Sequence, residues 1–458
     1  MRLARLALAG AVAGCSWVVA CGDVVSQPIG AAGTAPTTDA GMDAPVHPDT
    51  GADSSAETSG FCSGQGPVPL PGTNVCLGDL ANVFRFAACA CDALDVSGKL
   101  TTDSFDSPGE GGVAGGDLAS IAANGEVSTN STTTIGGSVW SGGTSTQTGQ
   151  AVTLRGGGTV LHDVQAGGPV EVGGKYVALG DVWSNGNVTL DTGAQLTVFG
   201  TVHVPAGDST TGVQGTVVNG PVQVAPPCDC SSPIDVGAVV AAFATHNDDA
   251  SIGITSGATL DGTVALPCGR YYVASIAGAN VTLQVNGRVA LFVSGDVNVT
   301  QSLTVQLAPS AELDLFVAGN FAVMGSLAVG DANAAARTRL YVGGATLTLS
   351  ATATPLAANV YAPNAILQLA ADLEMWGAVF AKTMQFSGAF TLHYDTSVLQ
   401  LAQSGGCAPG GTTCKTCNDC GGATPACISG ACAPCATNAD CCAPLVCASD
   451  GRCVLATQ

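Results

Sequence analysis

One short pattern recurs along the C-terminal half of the chain: an apolar residue, an aromatic one, then small residues. It reads "RYYVAS" at Tyr272, "LFVSG" at Phe292, "LFVAG" at Phe316, "LYVGG" at Tyr341, "NVYAPN" at Tyr361 and "AVFAKT" at Phe380. The aromatics are 20, 24, 25, 20 and 19 residues apart, and alternating segments such as "DVNV", "NFAV", "ATLTL" and "AILQL" follow most of them. The N-terminal half carries a weaker version: "GDLAS" at Leu118, "GSVWSGG" at Val139, "HDVQAGG" at Val164, "GDVWSNG" at Val182 and "GTVHV" at Val202. A strand-only unit of about 20 residues fits one turn of a parallel β-helix.

The expected fold is therefore all-β: a right-handed parallel β-helix with one packed helix and a small disulfide-rich C-terminal module. A β-sandwich-like arrangement or a propeller is the alternative, and neither explains one pivot every 20 residues so directly. Successive turns stack at about 4.8 Å, so Tyr272, Phe292, Phe316, Tyr341, Tyr361 and Phe380 are expected to form an internal aromatic ladder. Pro363-Asn364 occupies the place filled elsewhere by Ser294-Gly295, Ala318-Gly319 and Gly343-Gly344, which marks a corner, where a proline's missing donor is best spared. Composition agrees: 62 Gly, 10% charged and 5% aromatic residues suit short strands and tight turns, not amphipathic helices.

Two stretches break the pattern. In "PPCDCSSPIDVGAVVAAFATHNDDA", Ile234 to Ala244 reads as a helix with Val236, Val239, Val240 and Phe243 on one face. Packed on the side or end of the stack, it would cover an open edge. Near the N-terminus, Asp79 could cap a helix bearing Leu80, Val83, Phe84 and Ala87.

Residues 1–20 read as a signal peptide, with Arg2 and Arg5 ahead of an apolar run too short for a comfortable membrane span. "VVACGD" resembles a bacterial lipobox, which implies lipidation of Cys21; "VAGCS" offers Cys15 as the alternative. Residues 21–60 hold Pro28, Pro36, Pro45 and Pro48 among small and acidic residues, as a disordered tether does. The remaining boundaries are a small cap at 61–95, a first β-helix half at 96–225, a cysteine-bearing helical insertion at 226–268, a second half at 269–400 and the cysteine-rich module at 407–453.

Twenty cysteines behind an export signal point to disulfides. The candidates are Cys62, Cys76, Cys89, Cys91, Cys228, Cys230 and Cys268 in the body. The tail adds Cys407, Cys414, Cys417, Cys420, Cys427, Cys432, Cys435, Cys441, Cys442, Cys447 and Cys453. The spacings around Cys414-Cys417-Cys420 and Cys432-Cys435 would also suit zinc, but export and the lack of a tail histidine favour cross-links. Seven body and eleven tail cysteines are both odd numbers. If all pair, at least one bond joins tail to body, with Cys407 as the nearest tail partner.

Residues 89–395 resemble a bacterial domain of unknown function found in exported surface proteins, often lipoproteins. The resemblance rests on "CACDALDVSGKLTTDSFDS", "PPCDC", "LPCGRYYV", "VYAPNAILQL", "WGAVFAK" and "LHYD". The closing motifs are also similar to those of some pilus-assembly and adhesin-like proteins, and the spacing Cys435 to Cys453 is similar to Dickkopf N-terminal modules. The resemblance implies surface exposure and a β-helix-like fold, not a reaction.

Candidate chemistry is sparse. "THNDD" at 245–249 gathers His246, Asp248 and Asp249, and "HYD" at 393–395 ends what reads as the last turn, where it would close the stack. Arg270, Arg288, Arg337 and Arg339 could meet an acidic sugar; Trp140 and Trp183 occupy equivalent positions two turns apart. No phosphate loop, dinucleotide fingerprint, zinc-protease helix or nucleophile elbow is present. No catalytic residue, metal ligand or cofactor is assigned. A net charge of −21 argues against nucleic acid. The expectation is a non-enzymatic lipoprotein of a Gram-negative outer membrane or cell surface, held by its lipid and meeting a cell-surface glycan or protein. The alternative is a β-helical polysaccharide lyase or glycoside hydrolase.

Overall fold

The computed structural model describes residues 61–63, 66–68, 83–107, 114–231, 233–255, 257–349 and 356–399, with short stretches between 426 and 455. It is a parallel β-solenoid of about 13 turns with few helices, whose strands join a single 29-stranded sheet.

The turns do not stack in chain order. Ala88–Ala90 pairs on one side with Ile121–Ala123 and on the other with Val379–Phe386. Leu94–Val96 likewise lies between Val127–Thr129 and Val379–Phe386. Leu100–Phe105 lies between Thr133–Ile135 and Phe390–Asp395. The chain thus enters the middle of the stack and winds outward to Val213–Asn219, which pairs only with Gln195–Val204 among the described residues. It then runs back along the outside as a strap, residues 220–258. Winding resumes at the opposite end with Thr259–Val273, which pairs only with Ser275–Val293 among the described residues. The last strand, Phe390–Asp395, returns to the middle and meets the first turn. "HYD" therefore lies at a seam inside the stack, not at its end, because the first turn of the chain continues from it.

In the N-terminal half Val139, Val164, Val182 and Val202 stand in register with one another and with Ile121, not Leu118, and are buried in the interior. The aromatic pivots belong to a different column, one residue further along each strand, which runs through the whole stack. Its register runs Tyr272, Phe292, Phe316, Tyr341, Tyr361, Phe380, then Cys89, Ala122, Trp140, Gln165, Trp183, His203 and Val218. Side chains alternate along a strand, so the column faces away from Leu291 and Val293, Leu315 and Val317, or Ile121 and Ala123. Those flanking residues fill the interior and are buried. The rings are not inside the solenoid, as the repeat alone suggests; they are buried on its outer face because the strap covers them.

Contacts fix the path of the strap. Trp140 Nε1 donates to the Ala225 carbonyl (3.1 Å). Cys228 is bonded to Cys89 and Cys230 to Cys91, and the Asn124 side chain exchanges two 2.8 Å hydrogen bonds with the Cys228 backbone. Further along, Ile234 N donates to the Tyr361 hydroxyl (3.0 Å). Helix α1, Val236–Ala242, starts where the Asp235 carboxylate accepts from Ala238 N, and buries Val236, Val239 and Val240. At its end Phe243 stacks on Phe292, with centroids 4.0 Å apart and planes 10° from parallel. Phe243 takes the ring-stacking place expected of Tyr272, which keeps the register but is only half-buried. Two glycines let the strap approach: a Cβ at Gly142 would lie 2.7 Å from Pro226 Cα, and one at Gly343 would lie 3.2 Å from Val236 Cβ.

The segment before the first turn docks on the C-terminal half through charge. Arg339 and Asp314 are fully buried and paired (2.5 Å), and Arg339 also reaches Glu312 (2.8 Å). Asp314 accepts from Val68 N and Glu312 from Gly66 N. Arg288 donates to the carbonyls of Phe61, Gly66 and Pro67 and lies 4.5 Å over the Phe61 ring. Cys62–Cys268 closes this contact covalently.

Two antiparallel hairpins are described in the tail, Ala426–Ile428 with Ala431–Ala433 and Leu445–Cys447 with Cys453–Leu455. They carry Cys427, Cys432, Cys447 and Cys453, and Cys435 is disulfide-bonded. Cys15, Cys21, Cys76, Asp79, Cys407, Cys414, Cys417, Cys420, Cys441 and Cys442 lie outside the described residues.

Candidate functional site

The densest group of titratable side chains sits at the seam. Register aligns Trp376, His393 and Asp103 on three adjacent strands. His393 Nδ1 is 2.6 Å from Asp103 Oδ1 and its Nε2 is 3.1 Å from Glu374 Oε1. The Trp376 ring lies 4.1 Å from the imidazole and packs edge-on against Phe105. Burial would by itself lower the His393 pKa, but the hydrogen bonds and charges of Asp103 and Glu374 outweigh it and raise the pKa. With a carboxylate facing each ring nitrogen, the imidazolium form makes both contacts at once, so His393 ties two carboxylates together and leaves no nitrogen facing open space to act as a base.

The other members of "HYD" point elsewhere. Asp395, fully buried, accepts from the backbone of Ser107, Ala336 and Ser397 and from the Ser397 hydroxyl. Tyr394 donates to the Phe84 carbonyl (2.6 Å), and its burial pushes the phenol pKa well up. The trio joins three segments and does not converge on a substrate position.

"THNDD" is an edge cap. Asp248 N donates to the Arg270 carbonyl (2.6 Å), Asp248 Oδ2 accepts from Arg270 N (2.8 Å) and Asp249 Oδ1 accepts from Tyr272 N (2.8 Å). Desolvation raises the Asp249 pKa. Asn247 donates to the last carbonyls near the helix, those of Phe243 and Ala244, and the His246 ring meets the Thr245 hydroxyl. With Ala274 N donating to the Ala258 carbonyl, this segment closes the pivot strand at the outermost turn.

The repeated residue before each Val pivot acquires a role the sequence did not disclose. Ser120 Oγ accepts from Ser138 N, Ser138 Oγ from Asp163 N, Asp163 Oδ1 from Asp181 N and Asp181 Oδ1 from Thr201 N, at 2.7–3.2 Å. Asp296, Asn320 and Thr346 repeat the device in the other half. Each side chain caps the backbone of the next turn at a corner, where the ladder would otherwise leave a donor unpaired. The Gly-Asp-Val spacing was the signal that could have revealed it.

The remaining candidates separate. Arg339 is consumed in its buried pair; Arg288 binds carbonyls; Arg270 faces Asp248 at 3.7 Å; Arg337 is exposed beside a shallow hollow lined by Leu307, Pro309 and Asp331. Trp140 is buried beneath the strap, and Trp183 is half-buried and stacked on His203 (3.6 Å, 7°). Among the described residues no group of His, Cys, Asp and Glu is arranged to hold a metal ion, and no helix is long and apolar enough to cross a membrane.

Residues 229–401 match the family described as Domain of unknown function (DUF7305). The similarity begins within the strap and ends just past the seam, so it covers the whole C-terminal half-stack and none of the N-terminal one. No curated protein and no solved structure matches the chain. The disulfides hint at a location outside the cytoplasm.

Proposed function

We propose that this chain is a non-enzymatic, lipid-anchored protein of the bacterial surface. In this reading Cys21 carries the lipid, residues 22–60 form the tether, and the solenoid is a rigid body displaying the cysteine-rich module to a cell-surface glycan or protein. A stack of about 13 turns would be roughly 60 Å long at the spacing of paired strands. One observation carries the reading: the clustered acids and bases are engaged in holding backbone, as at Asp248, Asp249, Asp181 and Asp395, or in tying strands together, as at His393 and Arg339. An enzyme needs such groups free to face a substrate.

A polysaccharide lyase or hydrolase is the second reading, favoured only by Trp376 beside the Asp103–His393–Glu374 group. A glycan array followed by a turnover assay on every hit separates the two. Binding without product supports the display role, and released product would overturn it. Lipid labelling should disappear in Cys21→Ala and persist in Cys15→Ala, and protease treatment of intact cells should cleave the chain.

A further inference from the structure

The two ends of the stack are finished differently. At one end the outward groups of the pivot strand are satisfied by Asp248, Asp249 and Ala258. At the other, Val213–Asn219 has no strand beyond it among the described residues, and six of its seven residues are exposed. Gly220 N donates back to the Val204 carbonyl, so by alternation the backbone groups of Val217 and Asn219 point outward. Val217 continues an interior position, being in register with fully buried Val202, yet it is exposed, since among the described residues no turn follows. Exposed large apolar side chains concentrate here: Leu179, Phe199 (72% exposed), Val217 and Val218 are four of the six among the described residues. Phe199 stands out because the last strand has only Gly215 opposite the stretch 198–200, where the register shifts.

We propose that this open end is a two-fold interface with a second copy of the chain, in which Val213–Asn219 pairs antiparallel with its own counterpart. Three observations select that occupant. An open strand edge recruits another strand edge. At the opposite end of a second copy the pivot strand is capped by Asp248 and Asp249, while the uncapped stretch of that edge, 259–267, carries Asp261, so the uncharged open end of that copy is the one complementary to this one. Val213–Asn219 carries no charged residue in a chain of net charge −21, so two acidic copies meet here without opposing carboxylates. A self-complementary patch of this kind closes as a dimer instead of extending into a fibre.

The test uses the full chain in a mild detergent, with mass measured by light scattering over a concentration series. Wild type should reach twice the chain mass. Val218→Glu and Val218→Lys should each give monomers, because a charge on an edge strand opposes pairing. An equimolar mixture of the two should restore the dimer through Glu–Lys contact. Because Val218 is exposed, both variants should melt like wild type diluted to where it is monomeric, with wild type alone gaining stability as concentration rises, which separates loss of pairing from loss of fold. A monomeric wild type, dimers indifferent to both charges, or a mixture that stays monomeric would overturn the proposal.

Discussion

The two half-stacks share one column but fill it differently. From Phe292 to Phe380 it is aromatic, and the rings lie 4.3–6.3 Å from their neighbours. From Cys89 to Ala122 it is small, then mixed. The strands differ too: Ser275–Val293 and Val297–Leu307 are long, whereas most strands between 88 and 190 have three residues. The covering segment differs between them as well. At the end of the helix Phe243 stacks on Phe292, and just before it Ile234 N meets the Tyr361 hydroxyl, so the strap meets rings here. In the extended stretch Cys228 is bonded to Cys89 and Pro226 lies against Gly142, while Trp140 reaches the Ala225 carbonyl from the edge of that contact.

The largest effect should come from releasing the strap. Cys89–Cys228 and Cys91–Cys230 each span 139 residues, and in the chain-entropy model a loop of that size contributes about 5 kcal/mol. The second bond closes only the short ring left by the first. Removing either pair should therefore shift the melting curve little, and removing both should shift it by most of that amount; equal, additive losses would contradict a shared loop.

Next is Arg339→Met, which leaves buried Asp314 without its partner and should cost about 3–5 kcal/mol in chemical denaturation. Tyr361→Ala opens the aromatic column beneath Ile234 and should cost about 3 kcal/mol, as large-to-small core changes do. Trp183→Ala, in the other half, should cost clearly less because that ring is only half-buried. Equal losses at Tyr361 and Trp183 would erase the distinction between the halves.

The smallest effect concerns pH. His393 has a raised folded-state pKa, so its contribution is fully present below the unfolded value of about 6.5 and is lost as pH rises through the folded value. Wild type should melt at a lower temperature at pH 8.5 than at pH 6, and His393→Gln should flatten that slope. Because His393 joins Glu374 to Asp103 across the seam, hydrogen exchange should rise first in Phe390–Asp395 and Leu100–Phe105.

The three disulfides among the described residues use six of the seven body cysteines, leaving Cys76. If all eighteen cysteines of body and tail pair, Cys76 must bond to the tail. A non-reduced digest should yield a Cys76 peptide linked to a tail peptide, with Cys407 the expected partner.

The sequence by itself determined the parallel stack, the aromatic column of the C-terminal half and a helix in the strap, read at 234–244 and found at 236–242, because a period of about 20 residues, alternation and capping are local signals. "THNDD" and "HYD" were legible as clusters, but not as an edge cap and a seam, since their partners lie 22 and 290 residues away in the chain. The order of the turns was not legible at all. Every turn of a parallel solenoid offers the same kind of edge above and below, so periodicity cannot say which turn follows which. Only the tertiary structure decided that the first turn continues from the last. The strap and its disulfides hold that order, and they also bury a column that the repeat alone would place inside.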